Sequence, residues 1–356
     1  MPGGVDDPAA PSGGNTYDRR VCRGLAGAGW RVVEHTVAGT WPRPGEAART
    51  GLARLLAGFA DGEVVLLDGL VACGVPEVVV PAAGRLRAAV LVHLPLADET
   101  GLDPAVASAL DACERRTLRA VPAVVATSEW AARRLVRHHG LDAERVHVAA
   151  PGADPAPLAT GSAAGSRLLC VATVSPRKGQ LRLVEALAEL AGLEWSCVLA
   201  GGLGQDPGYV AEVRALIARH GLGERIRLTG PLAGEALAAR YAATDLLVLA
   251  SAAETYGMAV TEALAHGVPV VATGVGGVPE AVGRAPDGTV PGVLVPPGDQ
   301  DTLTAALRGW LTEPVVRREL AAAARDRRAV LAGWGTTSRR LAGALDQLRQ
   351  ETGRAA

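Results

Sequence analysis

Lysine is almost missing from this 356-residue chain: of its 36 basic residues only Lys178 is a lysine, and the rest are arginine. A GC-rich gene explains an arginine excess. It does not explain why the one ammonium stands in the turn Pro176-Arg177-Lys178-Gly179. Arginine presents a rigid fork, whereas lysine presents a compact point charge on a flexible stem. A position shaped for a single phosphate oxygen calls for the latter. Net charge is also lacking, at −1, which argues against nucleic-acid partners and a polybasic membrane role. No run of 18 or more apolar residues is present, so no spanning helix is expected. The opening MPGGVDDPAAPSGG has no basic segment leading into an apolar one and does not read as a signal peptide. The five cysteines, Cys22, Cys73, Cys113, Cys170 and Cys197, are odd in number and lack C-x-x-C spacing. They read as reduced, mostly buried thiols of a cytoplasmic protein and not as a disulfide or metal framework.

The length suffices for two domains of ordinary size. In the first half, Ser12-Gly13-Gly14-Asn15 reads as a glycine turn entering a helix. Strands are expected over 30–37, 63–69, 88–95 and 122–126, and again from Arg145. Helices are expected over 47–59, over 104–119 and from Ser128, a natural N-cap. Short apolar strands alternating with helices indicate a parallel sheet covered on both faces. His93 ends one strand, where ligands of such sheets gather. Residues 1–12 contain no apolar run of four, so a first strand is not evident before the glycine turn; a start truncated upstream is the expectation this raises. Residues 151–166, PGADPAPLATGSAAGS, read as an interdomain linker.

The second half is built from the same alternation. A strand from Arg167 leads into the Lys178 turn, and a second strand ends at Gly201-Gly202. A third leads to Thr229-Gly230-Pro231, and a fourth, 245–250, leads into Ser251-Ala-Ala-Glu254-Thr-Tyr256-Gly257-Met258. Glu262 follows on a helix, eight positions after Glu254; on one straight helix that is roughly 12 Å. The pair is too far apart to share a proton and is suited to the two ends of one extended ligand. The helix N-terminus at Gly257 and Met258 offers backbone N–H groups and a positive dipole end to phosphate. A second glycine turn, 274–279, and a strand from Gly292 close the unit. No G-x-G-x-x-G follows its first strand, so a nicotinamide fingerprint is absent.

The stretch ETYGMAVTEALAHGVPVVAT resembles the E-x7-E segment of the retaining GT-B glycosyltransferases of family four, and VSPRKG and GVLVPPGD resemble its flanking motifs. The match is good from Leu168 to about Leu311 and looser before that. The resemblance implies an α/β GT-B fold: two Rossmann-like doubly wound domains facing a cleft, with a C-terminal helix crossing back to the first. The boundaries so implied are an acceptor-side domain over 1–155, a nucleotide-sugar-binding domain over 166–335 and a terminal helix over 336–356.

It further implies transfer of a hexosyl group, with retained configuration, from a UDP- or GDP-linked sugar to a hydroxyl acceptor. No metal and no cofactor are expected. Lys178, Arg177, Gly257 and Met258 would hold the diphosphate, and Glu262 the ribose. Glu254, with Tyr256 beside it, would contact the donor sugar near its reacting carbon. His93 and Gly14 would stand near the donor sugar and acceptor. Gly201, Gly230 and Pro231 would line the donor side, the last two near the base. The catalytic group is then Glu254, Lys178 and His93. Trp41, Pro42 and 94–102 are acceptor-loop candidates by position. The acceptor, whether small molecule, lipid or glycan, is open; a lipid would place the chain at a membrane periphery. Thr173 stands where the family usually has an arginine, five residues before the motif lysine. A non-catalytic nucleotide-sugar binder and a GT-B type epimerase are the alternatives.

Overall fold

The computed structural model describes residues 1–7 and 11–350. Residues 8–10 of the N-terminal stretch and 351–356 of the expected terminal helix lie outside the described residues. The chain divides into two compact units: residues 1–6, 13–151 and 334–350 in one, and 152–333 with 7, 11 and 12 in the other.

Unit 1 holds a four-stranded parallel sheet, β1 (Val64–Asp68), β2 (Arg87–Val92), β3 (Ala123–Ala126) and β4 (Val146–Val148), in that spatial order. Its helices are α1 (Gly13–Gly27), α2 (Glu46–Ala57), α3 (Gly69–Ala72), α4 (Pro76–Ala83), α5 (Pro104–Ala120) and α6 (Glu129–His139). Ser128 Oγ accepts from the Ala131 N–H and starts α6 as a side-chain cap. Strand residues alternate between faces. Ala88, Val90, Val92, Val124 and Ala126 pack against α2 to α6, while Ala89, Leu91, Ala123 and Val125 pack against α1 and the C-terminal helix. With both faces covered, the interior of a strand such as β3 is apolar on both sides, while Asp68 and Arg87 stand at strand ends.

Residues 30–37 do not form the expected strand. They make one isolated bridge, Pro2 to Val37, with Gly3 N–H donating to Val37 O at 2.8 Å and Val37 N–H to Met1 O at 2.9 Å. A strand needs a neighbour along its length, and here the neighbour spans a single bridge; Val33 accordingly stays exposed. The short helices α3 and α4 stand where no element was expected.

Unit 2 holds a six-stranded, all-parallel sheet: β5 (Arg167–Val171), β6 (Ser196–Ala200), β7 (Ile226–Gly230), β8 (Leu246–Leu249), β9 (Val270–Thr273) and β10 (Gly292–Val295). The spatial order is β10-β9-β8-β5-β6-β7. The chain winds outward from β5 to β7, then restarts on the other side of β5 with β8. The helices are α7 (Gln180–Glu189), α8 (Pro207–Arg219), α9 (Gly234–Ala242), α10 (Met258–Ala265), α11 (Val278–Val282), α12 (Gln300–Thr312) and α13 (Pro314–Arg328). They cover both faces with separate apolar clusters.

Residues 329–333 separate α13 from α14 (Trp334–Gln350), and α14 belongs to unit 1. Leu341, Ala342, Leu345 and Leu348 bury against α1 and the sheet. A Cβ at Gly24 would fall 1.9 Å from Ser338 Oγ, so glycine is what lets α1 and α14 approach this closely. All five cysteines are free thiols, three of them buried. Among the described residues, no helix is long and apolar enough to cross a membrane.

Candidate active site

In unit 2 the winding reverses between β5 and β8, and ligands of open α/β sheets bind beyond the strand C-termini at such a point. The two loops that leave these strands carry the motifs. After β5, Pro176–Lys178 forms one turn of 3₁₀ helix closed by left-handed Gly179. After β8 comes the Glu254 loop. The two are tied together through backbone: Ala252 N–H donates to Arg177 O at 2.8 Å.

This docking places Lys178 Nζ 2.5 Å from Glu254 Oε1, and Ser251 Oγ donates to the same oxygen at 2.9 Å. The ammonium and carboxylate side chains are only 15% and 8% exposed, so the pair is screened far less than one on the surface. A third loop clamps the carboxylate's backbone from behind. Gly277 N–H donates to Glu254 O at 3.2 Å. At Gly276, with φ +56°, a Cβ would fall 1.6 Å from that same carbonyl oxygen. The 274–279 turn therefore needs its glycines for close approach.

Glu262, in the second turn of α10, has a different partner. Its Oε2 accepts from the Tyr241 hydroxyl at 2.8 Å. Burial, with the Glu262 charge and hydrogen bond behind it, pushes the Tyr241 phenol well above its ordinary range and keeps it a donor. His266 stacks on Tyr241 at 5.2 Å and 15°, and its Nδ1 bonds Pro157 O at 3.0 Å. Burial holds His266 below its usual pKa, against the opposing backbone bond and together with the Arg328 charge, so the ring is neutral and Nδ1–H is the donor.

Gly257 caps α10 in the left-handed region, with Tyr256 and Met258 half-buried on either side. Arg177 reaches the Ala253 carbonyl at 3.4 Å. Thr173 uses its carbonyl to accept from Gln180 Nε2. On the other flank of the switch point, Gly201 N–H donates to Gly230 O at 2.9 Å, and Pro231 is exposed beside it. The fold thus brings Lys178 and Glu254 into direct contact, sets Arg177 on the backbone of the Glu254 loop and joins Gly201 to Gly230. Glu254 and Glu262 hold separate partners, as an extended ligand would require.

Unit 1 brings Gly14 and His93 together. A Cβ on Gly14 would meet the His93 ring at 3.3 Å, so the first turn of α1 lies against the imidazole. His93 Nε2 is 2.8 Å from Asp18 Oδ1 and 3.7 Å from Asp68 Oδ2. Asp68 also caps α3 through Oδ1, accepting from Leu70 N–H at 2.7 Å. Tyr17 stands edge-on to the ring at 5.2 Å. Burial acts to lower the His93 pKa, but the Asp18 hydrogen bond and the charges of Asp18 and Asp68 outweigh it and the net shift is upward. Burial raises the Asp68 carboxyl, with the charge and hydrogen bond of Asp18 adding to it, against the pull of His93. Neither aspartate was legible as a site residue. Asp18 lies one turn beyond Gly14 on α1, and Asp68 ends β1 as His93 follows β2, which is the signal that was available.

Asp18, Asp68 and His93 lie close enough to hold a metal ion, as do Asp111, His138 and His139. In the first group the 2.8 Å contact has the length of an N–H···O bond.

Residues 164–327 match the family described as Glycosyl transferases group 1, and residues 11–157 match Glycosyltransferase Family 4. A D-inositol 3-phosphate glycosyltransferase 1 of Catenulispora acidiphila is 30% identical over 350 residues, covering 87% of this chain and 79% of that protein. The chain belongs to the GT-B glycosyltransferases of the family-four-like group. A second relative, the D-inositol 3-phosphate glycosyltransferase of Kineococcus radiotolerans, is 33% identical over 248 residues, or 63% of this glycosyltransferase. There the chain spans little more than half of the relative, 57% of its length. Among solved structures, Anabaena HepE in complex with UDP and glucose superposes with a TM-score of 0.75 at 20% identity, covering 95% of this chain and 97% of that one. At that identity the likeness establishes the GT-B fold of this glycosyltransferase.

Proposed function

We infer that this glycosyltransferase moves a hexosyl group from a UDP- or GDP-linked sugar to a hydroxyl acceptor, retaining the anomeric configuration. The observation that carries the reading is the only lysine of the chain, held at the switch point 2.5 Å from the first glutamate of E-x7-E. When the glycosidic bond breaks, charge grows on the leaving diphosphate and must be met by fixed donors. Lys178 supplies a cation, Arg177 a second one nearby, and the N-terminus of α10 at Gly257 and Met258 supplies oriented N–H groups. That set does the work a divalent ion does elsewhere, so transfer proceeds without metal. Glu262, oriented by Tyr241, takes the ribose hydroxyls. Glu254, beside Tyr256, supports the oxocarbenium-like carbon of the sugar. Gly201, Gly230 and Pro231 border the nucleoside. From unit 1 the reading takes His93 and Gly14 as contacts for the sugar and acceptor. In a same-face displacement the leaving phosphate accepts the acceptor's proton, and no separate base is needed.

HepE was solved with UDP and glucose, and the curated relatives are named for D-inositol 3-phosphate, which makes these the first probes. The test is incubation with UDP-glucose or GDP-mannose, with and without EDTA, against acceptors that include D-inositol 3-phosphate. Product is read by mass spectrometry and its anomeric proton by NMR. An α-linked product from an α-linked donor, undiminished by EDTA, is expected; an inverted product or strict metal dependence overturns the mechanism. Thr173, in place of the family's arginine, favours one rival: a binder that takes up the nucleotide sugar and never transfers it. Nucleotide binding with no transfer and no hydrolysis across the panel would establish that rival.

A further inference from the structure

His93 is the one imidazole in unit 1 that lies at a strand end, packs on the glycine turn and faces two buried carboxylates. Asp18 is 3% exposed and Asp68 7%. Both are carried by elements that the core holds rigidly. Tyr17, next to Asp18 on α1, is fixed by its hydroxyl bond to Ala149 O at 2.8 Å, and Asp68 is tied to the backbone of α3. Of Asp18's two oxygens, Oδ1 meets His93 Nε2 and Oδ2 is buried with no hydrogen-bond partner. A buried carboxylate with an orphan oxygen is costly unless a neighbouring cation compensates for it. The neighbour is His93.

A carboxylate only accepts, so Nε2 carries the ring proton that the Asp18 bond uses, and Nδ1 is the remaining nitrogen for any ligand. Neutral imidazole would present Nδ1 as an acceptor; imidazolium presents it as a donor. The other groups facing the ring leave this balance to the aspartates: the Tyr17 hydroxyl is committed to Ala149, and burial keeps it protonated.

We propose that Asp18 is a positioning residue that, with Asp68 behind it, fixes His93 as an imidazolium whose Nδ1–H is held ready for an oxygen of the bound sugar. No proton is transferred: His93 stays charged through the reaction and contributes a fixed, charge-assisted donor. The role rests on the transferase reading for its purpose, while the state of His93 is a property of the free protein and can be tested without substrate.

The first test is NMR titration of ¹³C/¹⁵N-histidine-labelled protein, with His93 assigned by comparison with His93→Gln. In the wild type, His93 titrates above the ordinary value of 6.5 and shows an Nε2–H pattern when neutral. A midpoint at or below 6.5 in the wild type overturns the proposal, and this arm stands even if no variant folds. In Asp18→Asn the midpoint falls by about one to two units, the usual effect of losing an adjacent opposite charge. Turnover of UDP-glucose at pH 7.5 then falls about tenfold in kcat, recovers toward acid pH as the imidazolium is restored, and leaves KM little changed. A residue with only a packing role would lower kcat equally at every pH. A lowered His93 midpoint with an unshifted pH profile overturns the positioning role. No turnover by the wild type with any donor counts against the proposed function instead and leaves the titration result standing.

Discussion

Exchanging Glu254 for glutamine should separate binding from transfer in opposite directions. In the unliganded protein the Lys178 ammonium is engaged by Glu254 Oε1, and a diphosphate competes for it. The carboxylate also repels the incoming phosphates. At an effective dielectric of about 20, two unit charges about 8 Å apart interact by roughly 2 kcal/mol. Screening at a site 8–15% exposed removes part of this, leaving about 1–2 kcal/mol, or roughly five- to thirtyfold in Kd. Glutamine keeps an acceptor for Ser251 Oγ and for the ammonium, and Gly277 N–H bonds only the backbone oxygen, so the loop survives the change. The expected result is tighter UDP or GDP binding by calorimetry together with transfer reduced about a hundredfold or more, the scale of losing one charge-stabilising group in a transition state. Weaker nucleotide binding, or transfer within a fewfold of wild type, would refute the reasoning.

Three further outcomes follow from the geometry. Tyr241→Phe removes the hydroxyl that orients Glu262; donor affinity should weaken by about 1 kcal/mol, less than in Glu262→Ala, and equal losses in the two variants would contradict the orienting role. Gly276→Ala places a Cβ against Glu254 O at a φ of +56° and should lower Tm by roughly 5 °C or more, with an unchanged melting curve as the contrary result. The folded-state pKa of His93 is raised, so its stabilisation is full below 6.5 and is lost as pH rises through the raised value. Urea unfolding should therefore show wild-type stability declining across that window relative to His93→Gln, and parallel curves would count against it.

Unit 2 was readable in the sequence because its strands are buried on both faces and its loops are marked by glycine and proline. Runs such as Leu246–Leu249 and Val270–Ala272 have no polar position to confuse them. Its site was readable in part: Lys178, Glu254 and Glu262 stood out as residues, but their partners did not. Lys178 and Glu254 are 76 positions apart and meet only because β5 and β8 are neighbours. Tyr241 looks like any aromatic on an amphipathic helix until α9 is set beside α10. In unit 1, residues 30–37 have strand-like composition but no neighbour to complete a ladder, which no local pattern reveals. The valines of α4 marked no element in the sequence, yet Pro76 stands at its first turn and Val79 is buried on it. Asp18, in the stretch Tyr17-Asp18-Arg19-Arg20, reads as one more solvated charge; only the register of α1 against β2 turns it toward His93.

The central claim is that the single lysine of the chain holds a nucleotide diphosphate without metal. Calorimetry of UDP and GDP in EDTA, with the wild type and Lys178→Ala side by side, tests it most directly. The predicted result is micromolar binding of one nucleotide to the wild type, weakened in Lys178→Ala by about 2–3 kcal/mol. Equal binding by the two proteins, or binding that appears only when magnesium is added, would contradict it.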